Sequence, residues 1–209
     1  MKKSENKMEY YIFLGLIIGI LIFLTNFIYE KWGRKIEKLN KKLGTQLIDN
    51  GFLDFADSFN LDELRSKLIN SFNIYEEENH RIVQIDAEEL AEFGFDFFLP
   101  KLQKILAKRN FDLNVRTAED YENSNDIFIN DEKIKLYTKE EMEKDTFWDS
   151  GARNFFKKVN ELMLIEGIKE KFYLLYDDND LAVLLLTEKQ YRVIKHRYFD
   201  KENEQPYLP

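Results

Sequence analysis

Lys171-Phe-Tyr-Leu-Leu-Tyr-Asp-Asp-Asn-Asp-Leu-Ala-Val-Leu-Leu-Leu186 is the stretch from which the fold can be read. Two apolar runs, Lys171 to Tyr176 and Leu181 to Leu186, flank the turn-forming residues Asp177 to Asp180. That pattern predicts two antiparallel strands joined by a hairpin. Directly after it, Thr187 with Gln190 makes a capping pair for a short last helix. Glu202 to Pro209 has no apolar period and reads as a loose tail. Upstream, Phe155, Phe156, Val159, Leu162, Met163 and Ile165 recur at helical spacing, predicting a helix from Asp149 or Ser150 to Ile168.

Further upstream, Asp126 to Tyr137 reads as a tight hairpin turning at Asn130 to Glu132, and Phe111 to Arg116 as a strand. Asp86 with Glu89 predicts the start of a long helix that Pro100 kinks near Leu99. Asn60 signals a helix to Phe72, and two strands are expected at Asn73 to Glu76 and Arg81 to Asp86. Strands joined by turns, with helices between them, indicate an α+β domain whose sheet is mostly antiparallel.

The N-terminus differs in character. Tyr10 to Tyr29 reads YYIFLGLIIGILIFLTNFIY and carries no charge, bracketed by Glu9 and Glu30. As a helix it is about 30 Å long, the thickness of a bilayer's hydrocarbon core. Tyr10, Tyr11, Tyr29 and Trp32 occupy its edges, where interfacial aromatics gather. The apolar run is too long for a signal peptide and lacks a small-x-small cleavage site, so a single retained transmembrane helix is expected. Lys31, Arg34, Lys35, Lys38, Lys41 and Lys42 outnumber Lys2, Lys3 and Lys7, which places the main domain on the cytoplasmic side. Gly15, Gly19 and Asn26 share one stripe, a face suited to pairing with a second copy. The organisation expected is a tail at 1–9, the span at 10–29, a basic stalk at 30–44, an acidic domain at 45–201 and a flexible tail at 202–209.

Charge sharpens the division. Residues 30–42 hold six Lys or Arg against two Glu, a net +4; residues 43–209 hold 22 against 35, a net −13. The stalk suits anionic headgroups and the domain a basic protein partner, while the overall charge of −8 argues against nucleic acid. The absence of cysteine removes thiolate metal sites, disulfides and a Cys nucleophile, and neither a phosphate loop nor G-x-S-x-G nor H-E-x-x-H occurs. No cofactor or metal is expected.

Several groups remain as candidates. Asp177, Asp178 and Asp180 lack the ligand spacing of a calcium loop and suit a turn or a basic partner. Trp148 and Arg153 lie in the unusual string Trp-Asp-Ser-Gly-Ala-Arg and offer an aromatic anchor beside a cation. Glu76, Glu77 and Glu78 with His80 suit an exposed acidic loop more than acid–base work. His196, between Lys195 and Arg197, reads as surface, and Phe93, Phe95, Phe97 and Phe98 as a core face. The sequence therefore favours a membrane-anchored, non-catalytic protein-interaction domain. An immunity-type inhibitor that occludes a basic toxin or enzyme is one concrete version. A membrane-tethered, carboxylate-dependent hydrolase and a structural subunit of an envelope complex are the alternatives.

Overall fold

In the computed structural model, one helix, α1 (Lys2–Asp49), runs unbroken for 48 residues, about 72 Å. The structure describes residues 2–176 and 181–209, and over residues 2–20 and at 22 the backbone alone. The expected span at 10–29 lies within this helix, though Gly15 and Gly19 fall outside the residues whose side chains are described. Among the described residues, no helix is long and apolar enough to cross a membrane.

The lower part of α1 belongs to the domain. Leu43 and Leu47 are fully buried and Leu39 packs beside them, whereas Ile36, one turn up the same stripe, is exposed. Gly44 lets α1 lie against α2 (Leu61–Ser71), where Leu68 and Ile69 leave no room for a Cβ. Two further contacts set the directions of the packed helices. Gln190 of α8 (Glu188–Arg197) donates through Nε2 to Asn50 O at 2.9 Å, and Arg197 Nε donates to Asn40 Oδ1 at 2.8 Å. Thus α8 runs antiparallel to α1, and so does α2, whose Asn70 carbonyl lies 3.5 Å from Asn40 Nδ2.

The domain is α+β, built on two three-stranded antiparallel sheets. The central sheet orders β1 (Ile82–Gln84), β6 (Ala182–Leu186) and β5 (Lys171–Leu175) with β6 in the middle. Its side chains alternate between two cores. Phe172, Leu174, Val183 and Leu185 face α3 (Ala87–Ala91), α4 (Leu99–Ala107) and α7 (Phe147–Ile165). Tyr173, Leu175, Leu184 and Leu186 face α1, α2 and α8. Burial on both faces is why the two strands read as continuous apolar runs. The second sheet, β2 (Val115–Thr117), β3 (Asp126–Ile129) and β4 (Glu132–Lys135), turns at Asn130 and Asp131, both at positive φ. It feeds Ile127 and Ile129 into the first core. Short helices α5 (Tyr121–Ser124) and α6 (Lys139–Glu143) complete the chain.

Four local expectations are revised. Residues 73–76 form no strand. The long helix expected after Asp86 breaks at Phe93, whose φ is 68°, and at Gly94, leaving α3 and α4 separated by a 3-10 turn; Pro100 opens α4 rather than kinking a longer helix. Helix α7 begins at Phe147, which puts Trp148 inside its first turn, and ends at Ile165 rather than Ile168. The end of the chain is held rather than loose: Tyr207 exchanges two 2.8 Å backbone hydrogen bonds with Leu174 on the edge of β5.

Candidate functional site

The first turns of α7 and the C-terminal segment form the two walls of an open cleft of about 450 Å³. From α7 come Trp148, Asp149 and Arg153; from the opposite wall come Tyr176, Glu202, Gln205 and Tyr207. The helical spacing of 149 and 153 puts acid and base on one face, and Arg153 Nε donates to both Asp149 oxygens at 2.8 and 2.9 Å. This pairing holds the Arg153 guanidinium above its usual pKa, and it lies 5.0 Å from the centre of the Tyr207 ring. Trp148 is half-buried and donates through Nε1 to Asp145 O at 3.2 Å. Tyr176, at φ 65°, turns its hydroxyl towards Glu204 Oε2 and Tyr75, and its carbonyl accepts from Tyr207 Oη at 2.9 Å. Burial and the bond to Tyr176 push the Tyr75 phenol far up, so it stays protonated as a donor.

The structure therefore brings Trp148 and Arg153 together. Trp and Arg with two tyrosines make the composition from which protein interfaces draw most of their binding energy. The lining offers flat apolar area, a fixed cation and the carboxylates of Asp149 and Glu202. Tyr207 was missed in the sequence because the last eight residues carry no periodic signal, and Tyr176 because it reads only as the end of a strand. Asp177, Asp178 and Asp180 lie outside the described residues. Asn26 is exposed on α1.

A second hollow, of about 270 Å³, gathers Glu77, Glu78 and His80 with Asp57, Lys101 and Lys104. His80 is not a surface residue of an acidic loop: it is buried, at φ 52°, with Nε2 2.9 Å from Asp57 Oδ1 without hydrogen-bond alignment. Bonds from Lys108 first, and the His80 contact second, lower the Asp57 carboxyl to about 2. His196 is exposed, as expected, and of the four phenylalanines Phe95 and Phe98 are core while Phe97 is exposed.

Behind these sites lies a buried ion network with no local signature in the sequence. Glu170 accepts from Arg81 Nη1 at 2.5 Å and from Arg109 Nε at 2.9 Å. Arg81 also donates to Gly51 O, Phe52 O and Leu185 O, tying the end of α1 to the central sheet. Burial alone would raise the Glu170 carboxyl, but the two guanidinium groups outweigh it and hold it low. Among the described residues, no group of three or more His, Cys, Asp or Glu side chains is placed to hold a metal ion.

No protein-family model, no curated protein and no solved structure matches this chain.

Proposed function

We propose that this chain is a single-pass, membrane-anchored interaction domain whose globular part sits at the cytoplasmic face and presents the cleft between α7 and the C-terminal segment to a protein partner. The observation that carries the anchor is on α1: Leu21, Phe23, Leu24, Phe27 and Ile28 are all exposed within eight consecutive residues. Those five side chains spread over about 160° of the helix, and no element of the domain covers them. Lipid would, and the sequence stays uncharged through residues 10–20.

The cleft supports binding through its Trp, Arg and Tyr lining, and the −13 charge of residues 43–209 favours a basic partner through electrostatic steering. Such a protein would act by occlusion at the membrane surface, as an inhibitor held beside the compartment it protects. The test is affinity capture of the intact chain from detergent-solubilised membranes, beside a Trp148→Ala/Arg153→Ala variant. The expected result is a basic protein that is captured at low salt, lost at high salt and lost with the double variant. A partner that is acidic, or retained by the double variant, overturns the reading. A chain that stays in the aqueous fraction without detergent overturns the anchor.

A further inference from the structure

The antiparallel packing of α2 and α8 on α1 has a consequence for the end of the domain nearest the apolar stretch. Both helices finish at the level of Asn40, through the contacts of Asn70 O and Arg197 Nε with the Asn40 side chain. From Asn40 to Trp32 is eight residues, about 12 Å along the helix. The last turn of α8 carries Lys195, His196 and Arg197, and Phe199 and Lys201 follow it. Lys195, His196, Phe199 and Lys201 are exposed, Phe199 by 70%. On the stalk, Lys38, Lys41 and Lys42 flank Asn40, the partner of Arg197, and are all exposed as well. The acids nearby are Glu37 on the stalk, Asp200 and Glu202 after α8, Glu204, which accepts from the Tyr75 and Tyr176 hydroxyls, and Glu63 and Glu76, both paired with Lys67 of α2.

Resting on the anchor reading above, we propose that this end of the domain is a second membrane contact, in which anionic lipid headgroups seat against Lys195, Arg197 and Lys201 and the Phe199 ring enters the interface. Charge complementarity selects this occupant. The rest of the domain is strongly acidic and repelled by such a surface, whereas this end gathers Lys38, Lys41, Lys42, Lys195, Arg197 and Lys201, is continuous with the basic stalk, and projects the only large apolar side chain found exposed after α8 begins and before the C-terminal Leu208 among the described residues. The Lys195 and Arg197 charges also stand where the carbonyl end of α8 would otherwise face an anionic surface. The anchor and this contact together would hold the domain upright, leaving α7 and its cleft free.

Because the chain has no cysteine, single labels are unambiguous. The full chain, carrying an environment-sensitive fluorophore at Phe199→Cys or at Phe27→Cys, is reconstituted into vesicles of phosphatidylcholine alone or mixed with phosphatidylglycerol. Acrylamide quenching reads the exposure of the label. At about fivefold per cation near an anionic surface, three cations shift the docked-to-undocked ratio by roughly a hundredfold. The label at 199 is therefore expected to be shielded in anionic vesicles only, and released by high salt or by Lys195→Glu/Lys201→Glu, while the label at 27 is shielded in both. A label at 199 that is equally open in both vesicles, with 27 shielded, overturns the second contact and spares the anchor. Shielding at 199 that survives the double charge reversal, or that depends on protein density in the vesicle, points to a protein neighbour and overturns the proposal. An open label at 27 overturns the anchor and this contact with it.

Discussion

Gly44→Ala sets two opposed effects against each other at one atom. In the interior of a helix alanine is favoured over glycine by about 1 kcal/mol, so α1 alone should gain. In the folded protein the added Cβ would stand 2.7 Å from the Leu68 carbonyl carbon, nearer still to its oxygen, and 3.0 Å from Ile69 Cα. All three are backbone atoms of α2, and Leu68 O already accepts the 3.1 Å hydrogen bond from Phe72 N that closes that helix. No rotamer change relieves the contact; α1 and α2 must move apart, and with them Leu43, Leu47, Leu64 and Leu68 in one core. Overpacking of this kind costs about 3 kcal/mol, leaving a net loss of about 2 kcal/mol. With a urea slope of roughly 2 kcal/mol per molar, the midpoint should fall by about 1 M. The assay is a urea titration read by pulse proteolysis of the intact chain in mild detergent. Gly33→Ala, where nothing lies within 4 Å of the new atom, is the control and should hold or raise the midpoint. If Gly44→Ala matches Gly33→Ala, the close approach of the two helices is not real and the placing of α1 against the domain fails with it.

Three other outcomes are expected. Glu170→Gln leaves Arg81 and Arg109 buried without their counter-charge and should destabilise the domain by about 3 kcal/mol, measured by the same titration. The carboxyls of Glu170, Asp57 and Asp126 are all held low in the folded state, so the stability they contribute is present above the unfolded carboxylate range near pH 4 and is lost as pH falls through the folded values, to about 2 for Asp57. Asp57→Asn should flatten the acid limb of a stability–pH curve, and an unchanged limb would deny Asp57 its role. Asp131→Gly, at a position with φ 67° in the β3–β4 turn, should raise thermal stability by about 0.5 kcal/mol, because the Arg116 pair it gives up is exposed; a lower Tm would contradict the turn geometry.

What was legible in the sequence is what short-range physics decides. Thr187 and Gln190 form a capping box, and Asp86 Oδ1 accepts from Glu89 N at 2.9 Å, because caps span three residues. The β5 and β6 runs announced themselves by burial on both faces. The break at Phe93 was not visible: a phenylalanine at positive φ is tolerated there by packing against Phe95, Tyr121 and Tyr137, partners up to 44 residues away. The buried network was hidden for the same reason. Arg81, Arg109 and Glu170 look like three surface charges until β1, α4 and the segment before β5 converge. Half of the cleft was foreseen, through Trp148 and Arg153 on one helix, and half was not, because its other wall is the end of the chain.

The backbone exchange between Tyr207 and Leu174 also caps the outer margin of β5, which has no neighbour on that side in the central sheet. Trimming the chain after Gln205 would bare the Leu174 N–H and C=O and the Tyr176 carbonyl on that margin, leaving only the Phe172 groups covered, by the Asn160 side chain. An uncovered ribbon of this sort recruits other ribbons. Shortened forms should therefore accumulate as insoluble assemblies, and the last few residues would act as a guard against them.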